Sequence, residues 1–369
     1  MCAIAGVIDF EGINKKHKNW CEEAKKQLKN RGPDQDGVYV SRFSALVHTR
    51  LAVIDIEKGK QPMSLERGRE KYTLVYNGEL YNTEDIRKEL ELEGYAFEGH
   101  SDTEVVLKSY VCWKEKCVEK FNGIFAFAVW EEHNQRLFVA RDRIGVKPFF
   151  YTVKNNAFYF SSEIKGLLCC PDIPCELDKE GINEIMLLGP GRTMGCGVLK
   201  GIEELPMSWC GYWDKEQGLR KWQYWDFARE HKPQTFDETA EQVRYLVTDA
   251  IKRQIVSDVP LCTFLSGGLD SSLISSVTSR EFKKQGKQLH TFSVEYRDNQ
   301  KYFQASKFQP NSDDYYINKM SEYLGSAHHH IVVDTPELVD ALYKAVDARD
   351  LPGMADVDSS LLLFCKEVK

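Results

Sequence analysis

Seven residues in the second half, Ser266-Gly267-Gly268-Leu269-Asp270-Ser271-Ser272, constrain the fold most. They lie between an apolar strand predicted over Val259–Leu265 and a helix predicted over Asp270–Lys284. A glycine-rich bend between strand and helix is the opening unit of a parallel sheet. The rhythm that follows agrees: strand Leu289–Tyr296, helix Ser312–Leu324, strand His330–Val333, helix Pro336–Ala348. Ahead of the bend, Val243, Leu246, Val247, Ala250, Ile251 and Ile255 recur at helical spacing. Alternating strands and helices predict an α/β doubly wound parallel sheet. Leu361–Lys369 is an amphipathic helical run without a following cap, and three strands make a small sheet. The second domain is therefore expected to be partial.

The first half reads differently. Strands are predicted at Ile4–Phe10, Leu46–Ile54, Tyr72–Tyr76, Ile124–Trp130, Arg136–Ala140 and Ala157–Phe160, all rich in Val, Ile, Phe and Tyr. Helices fit Lys15–Asn30, Thr83–Glu93 and Asp102–Trp113, the last opening on the capping-box pattern Ser101-Asp102-Thr103-Glu104. Strands and helices that group without strict alternation predict an α+β layered domain. Residues 189–235 carry Gly, Trp and charge without a sustained period, as a connection does. The expected division is a domain at 1–200, a connection at 201–235 and a second domain at 236–369.

Composition excludes several classes. The 369 residues are 42% hydrophobic and 28% charged, with a formal net charge of −7. That balance gives no broad attraction to nucleic acid, and no apolar stretch is long enough to span a membrane. The opening MCAIAGVIDF lacks the basic start of a signal peptide. Eleven cysteines without an export signal point to a reduced, cytoplasmic setting. Neighbouring residues on a strand face opposite ways, so of His328-His329-His330 at most His328 and His330 share a face, and a metal site there is not expected.

Two places carry chemistry. Removal of Met1 would give Cys2 a free α-amine, which can serve as general base for its own thiol. Asn77-Gly78 supplies a side-chain amide and an accessible backbone N–H, a donor pair for an oxyanion. Asn-Gly is also the strongest hairpin dipeptide, and only the longer string Asn77-Gly78-Glu79-Leu80-Tyr81-Asn82 favours the donor reading. A free amino-acid amide would need a cation for its carboxylate, for which Arg50 is a bidentate candidate. It would also need an anion for its ammonium, for which Glu79 and Asp102 are candidates. In the second domain, Gly267, Gly268 and the helix start suit phosphate, with Ser266, Ser271 and Ser272 as hydroxyl donors. Asp270 would repel phosphate unless Mg²⁺ lay between them. The two places together predict release of ammonia from an amide and ATP-driven transfer of it.

Met1-Cys2, Arg31-Gly32-Pro33-Asp34, Arg50-Leu51, Asn77-Gly78-Glu79, Ser101-Asp102-Thr103-Glu104 and Arg141-Asp142-Arg143-Ile144-Gly145-Val146-Lys147-Pro148 occur in that order. This series resembles the class-II glutamine amidotransferase domain of glutamine-hydrolysing asparagine synthetases. The resemblance implies an N-terminal nucleophile αββα sandwich with Cys2 as nucleophile, Asn77 and Gly78 as oxyanion hole, and Arg50, Val53, Glu79 and Asp102 around glutamine. The loop at Ser266 resembles the PP-motif of ATP pyrophosphatases. By that resemblance Leu265 flanks adenine and Val294 contacts the nucleoside. Aspartate, ATP and glutamine are then the expected substrates, Mg²⁺ the expected cofactor, and a homodimer is allowed. A paralogue acting on another carboxylate, or a glutaminase-only fragment, remains the alternative. Residues 297–314 read as a polar insert, packed by Tyr302, Phe303, Phe308 and Pro310.

Overall fold

The computed structural model describes residues 1–228, 234–305, 307 and 312–369. Phe308 and Pro310 of the expected insert lie outside the described residues. The chain forms two compact units, Met1–Arg229 and Glu230–Lys369.

The first unit holds two six-stranded antiparallel sheets. Its strands are β1 (Ala3–Ile8), β2 (Gln35–Val40), β3 (Ser44–Arg50), β4 (Met63–Arg67), β5 (Glu70–Leu80) and β6 (Gly123–Glu131). They continue as β7 (Arg136–Arg141), β8 (Phe150–Lys154), β9 (Ala157–Ser161), β10 (Glu203–Glu204), β11 (Trp209–Asp214) and β12 (Gly218–Gln223). One sheet runs β10-β8-β9-β1-β3-β2 and the other β12-β11-β7-β6-β5-β4. Ile4, Ile8, Leu46, Val75, Ala128, Trp130, Phe158 and Phe160 fill the space between the sheets. A second core packs the outer face of the other sheet, with Tyr76, Phe125, Phe127 and Phe138, under the helices Thr83–Leu92 and Asp102–Trp113. The helix Lys15–Gln27 packs on the first sheet, where the Trp20 indole donates to Gly166 O. This is the expected αββα sandwich, and two apolar faces per sheet account for its four layers.

Three expectations change. Residues 209–223 are a β11–β12 hairpin whose register on β7 pairs Cys210 with Ala140 and Tyr212 with Phe138, so the middle of the expected connection belongs to the sheet. The glycines and tryptophans that hid its period are its turn and its packing: Gly218 has φ +66°, and the Trp213 ring stacks on Phe158. The Asp102–Trp113 helix starts on Ser101, whose hydroxyl accepts from Thr103 N, but the capping box does not close. Glu104 accepts from Glu98 N and Gly99 N and pairs with Lys108. Finally, β5 does not stop at Tyr76. It runs through Asn77-Gly78 to Leu80, so the hairpin alternative for that dipeptide is excluded.

In the second unit β13 (Cys262–Phe264), β14 (His290–Tyr296) and β15 (Ala327–Val333) are parallel in that order. Thr263 bonds Ser275 of the helix Leu269–Lys284, while Phe264, on the opposite face, packs on Phe364 of the helix Ala355–Val368. The sheet is therefore covered on both faces, as strand–helix alternation predicts. His328 and His330 share a face with Ser293, and His329 stacks on Phe292 and His290 on the other.

Candidate active site

β1 is buried along its whole length, paired with β3 on one side and β9 on the other. A strand held this way fixes what precedes it, and Cys2 immediately precedes Ala3. The Cys2 carbonyl accepts from Arg31 Nε at 3.0 Å, and the thiol lies 3.7 Å from Leu51 O. Burial pushes the thiol above its ordinary value, and burial also lowers the chain's terminal amine to about 6. An amine with that value is unprotonated at neutral pH and can accept a proton.

Around Cys2 a small cleft of about 80 Å³ is lined by Arg50, Val53, Gln61, Tyr76, Asn77, Gly78, Glu79, Asp102, Thr103 and Lys147, among others. All seven residues singled out for the glutaminase half meet there. Their settings differ. Asn77 is 1% exposed, and neither its Nδ2 nor its Oδ1 has a partner. Leaving both atoms unpaired costs on the order of 1–3 kcal/mol each.

Gly78 owes its accessibility to sheet geometry. β4 pairs β5 only as far as Leu74, and beyond it β5 has a strand on one side alone. In an antiparallel strand successive residues point their N–H groups to alternate sides. Tyr76 N goes to Gln61 Oε1 at 2.6 Å and Leu80 N to Asp102 Oδ2 at 3.2 Å, both away from β6. Gly78 N–H, of the same parity, opens to the same side between them. A Cβ at Gly78 would lie 2.5 Å from Ile124 O and 2.6 Å from Tyr76 Cε2, so only glycine fits here.

Asp102 accepts from Tyr76 Oη at 2.9 Å as well, yet burial raises its carboxyl to about 6. Arg50 differs from expectation. Its Nη1 donates to Gln35 Oε1 and Ile56 O, both at 2.8 Å, and its Nη2 to Ile54 O at 2.9 Å and Asp55 O at 2.7 Å. All four terminal hydrogens are used, so the bidentate fork is already occupied by the 54–56 turn and only Nε–H is left. Gly59 permits this approach: its Cβ would stand 2.2 Å from Arg50 Nη2.

A glutamine amidotransferase domain family matches residues 1–225. The chain belongs to this family. An asparagine synthase family matches residues 242–369 of the same chain. Over 370 residues it is 52% identical to asparagine synthetase [glutamine-hydrolyzing] 3 of Bacillus subtilis, covering 100% of this chain and 60% of that protein. It is 35% identical to a putative asparagine synthetase [glutamine-hydrolyzing] 2 of Methanocaldococcus jannaschii, over 92% of this chain and 67% of the other. To asparagine synthetase [glutamine-hydrolyzing] 1 of B. subtilis it is 36% identical, over 80% of this chain and 46% of the other. The chain thus spans about half to two thirds of the length of these relatives.

In the second unit, Leu265 continues β13, is 1% exposed and donates its N–H to Phe292 O at 2.8 Å. Gly267 turns the chain with φ +77°, and Gly268 stands at the helix N-cap without a side-chain cap. Ser271 Oγ lies 3.0 Å from Ser266 Oγ and accepts from Ser266 N at 3.2 Å. Ser272 N returns to Gly268 O at 3.1 Å. Asp270 is exposed in the helix's first turn. Val294 lies on β14, two residues past the Phe264–Phe292 pair and level with Ser266. The hydroxyls, the first N–H groups of the helix and the Asp270 carboxylate form a donor set suited to phosphate with a divalent cation.

Four polar side chains of the cleft were given no role from sequence: Gln61, Tyr76, Thr103 and Lys147. Nothing local marks Gln61 or Tyr76. Lys147 and Arg31 do lie in two of the strings that carry the family resemblance, and position in such a string was the available signal.

Proposed function

We propose that this chain hydrolyses glutamine at Cys2 and uses the ammonia, with ATP, to convert aspartate into asparagine. Once Met1 is removed, the Cys2 α-amine takes the thiol proton and the sulfur attacks the glutamine side-chain carbonyl. Asn77 Nδ2 and Gly78 N–H receive the oxyanion, the amine returns the proton to the leaving ammonia, and water releases glutamate from the thioester. Glu79 and Asp102 hold the substrate ammonium, Val53 lies against its carbon chain, and Arg50 offers Nε–H to its carboxylate. In the second unit Ser266, Gly267, Gly268, Ser271 and Ser272 receive the phosphates, with Leu265 and Val294 toward the nucleoside. Asp270 would hold Mg²⁺, which offsets the phosphate charge. Aspartate attacks the α-phosphorus of ATP and pyrophosphate leaves. Ammonia then displaces AMP from the acyl-adenylate. The unpartnered, buried Asn77 amide beside Cys2 is the observation that carries this reading: removing one such donor typically costs about 10²–10³ in rate.

The test supplies glutamine, aspartate, ATP and Mg²⁺ and assays glutamate, asparagine and pyrophosphate. Cys2→Ala is expected to abolish glutamate release, and the N-terminal peptide of the active protein to begin at Cys2. Glutamate release by Cys2→Ala at the unchanged rate removes the nucleophile. Glutamate release without asparagine or pyrophosphate confines the activity to the first unit.

A further inference from the structure

The cleft contains one cation that the scheme above leaves unused. Lys147 is 4% exposed, and among the described residues its ammonium has no carboxylate within ion-pairing distance. Among the described residues its one hydrogen-bond partner is Met1 Sδ at 3.2 Å, a weak acceptor. Burying an ammonium without an anion is costly, so the position needs a reason.

The surrounding loop is built to impose it. Asp142, fully buried, takes Phe125 N, Ile144 N, Val146 N and Lys147 N on its two carboxylate oxygens at 3.0–3.1 Å. Arg141 clamps the same loop from the other side, donating to Gly145 O, Lys147 O and Leu205 O at 2.7–2.8 Å. Glu204 balances that guanidinium at 3.1 Å. Neither charge is therefore spent on Lys147 Nζ. They fix its main chain and direct the side chain into the Cys2 cleft.

We infer that Lys147 is a positioning residue whose buried charge keeps the α-amine of Cys2 unprotonated, so that the amine can accept the thiol proton. This rests on Cys2 being the nucleophile. The ammonium lies 3.2 Å from Met1 Sδ and lines the same cleft as Cys2, so removal of Met1 would take away that contact and leave the charge in the cleft of the new amine. A free α-amine has a reference pKa near 8 and would be largely protonated at neutral pH. A neighbouring like charge lowers it. The amine now at the chain start illustrates the setting: burial lowers it most, Cys2 and Glu79 oppose, and Arg31 and then Lys147 act in the same direction as burial.

Of the other charged groups around Cys2, Arg31 acts on the amine in the same direction, but its charge is shared with a carboxylate. Arg31 is paired with Glu163 at 3.1 Å, which itself also pairs with Lys165. Arg50 is turned to the 54–56 carbonyls. Asp102 and Glu79 bear the opposite sign, and His48 is held neutral, lowered to about 3 by burial.

The experiment is the pH dependence of glutamate release by the full 369-residue chain and its variants. Lys147→Met is expected to move the acid limb upward by roughly one pH unit, and Lys147→Arg to leave it in place. Acetic anhydride acetylation of the Cys2 amine across a pH series, read on the N-terminal peptide by mass spectrometry, reports the same shift in a variant that does not turn over. An unmoved limb and an unmoved acetylation profile in Lys147→Met overturn the inference, as does an equal shift in Lys147→Arg. Cys2→Ala separates the two readings: if it still hydrolyses glutamine, the nucleophile assignment fails, whereas if it is silent while the Lys147→Met profile stays put, only the role of Lys147 fails.

Discussion

Asp102 is a carboxyl whose proposed binding role and whose effect on folding oppose each other. Burial lifts it from 3.8 to about 6 despite bonds from Tyr76 Oη and Leu80 N. A group whose folded value is raised adds nothing against stability below its unfolded value. It weakens the fold as pH rises through its folded value, here from about 4 to about 6. Asp102→Asn removes that burden and should stabilise the first unit by on the order of 2–3 kcal/mol at pH 7, two pH units at 1.36 kcal/mol each. The gain should disappear below pH 4. All seven tryptophans lie between residues 20 and 225, so urea unfolding followed by their fluorescence reads this unit alone. The same variant should bind glutamine more weakly, having lost an anion for its ammonium. Arg50→Ala should do the reverse on stability. It strands three main-chain carbonyls and Gln35 Oε1, so the tryptophan transition should fall by about 2 kcal/mol or more as glutamine KM rises. An unchanged transition would mean that the four hydrogen bonds carry no net stability.

β5 owes its role to where its neighbour ends. β4 stops opposite Leu74, and the rest of β5 turns its outer N–H groups to Gln61, Asp102 and the cleft. Gly78→Ala places a methyl 2.5 Å from Ile124 O, so the β5–β6 ladder must open. We expect loss of glutaminase together with an earlier tryptophan transition. Alanine at full activity and stability would show that the strand yields freely. This element was only half legible in sequence. The Val, Tyr and Leu of 72–76 announced a strand, but Asn77-Gly78 carries the strongest turn signal of any dipeptide, and pairing with β6 overrode it. β11 and β12 were missed for a related reason: Gly211 and Gly218 break the alternation, and Trp and Arg side chains cover both faces. Conversely, Cys2, Asn77, Gly78 and Asp102 were legible because each sits in a short string of unusual residue types. Lys147 was not, because its neighbours explain its backbone while nothing in the string states where its ammonium points.

At the scale of the whole molecule, the two units have cores of different architecture. The antiparallel sandwich has its polar cleft at the start of β1, and the parallel sheet has its phosphate-type loop after β13. Each unit has its own buried set, so a change in one loop should stay local. Asp270→Asn should weaken Mg²⁺–ATP binding, read by calorimetry or a fluorescent nucleotide, while glutamate release stays at the wild-type rate. A matching loss of both would show that the units are coupled. The fold class of both units was legible because one half alternates strand with helix and the other does not. The boundary was not, since the hairpin that closes the sandwich lacks a clean period. β1 has one more consequence. Its first residue is pinned in the interior of a sheet with Cys2 at its lip, so on the proposed mechanism the general base would become available only once Met1 is trimmed. A purification tag fused ahead of Met1 would leave a well-folded zymogen, and activity would appear only when cleavage leaves cysteine as the first residue.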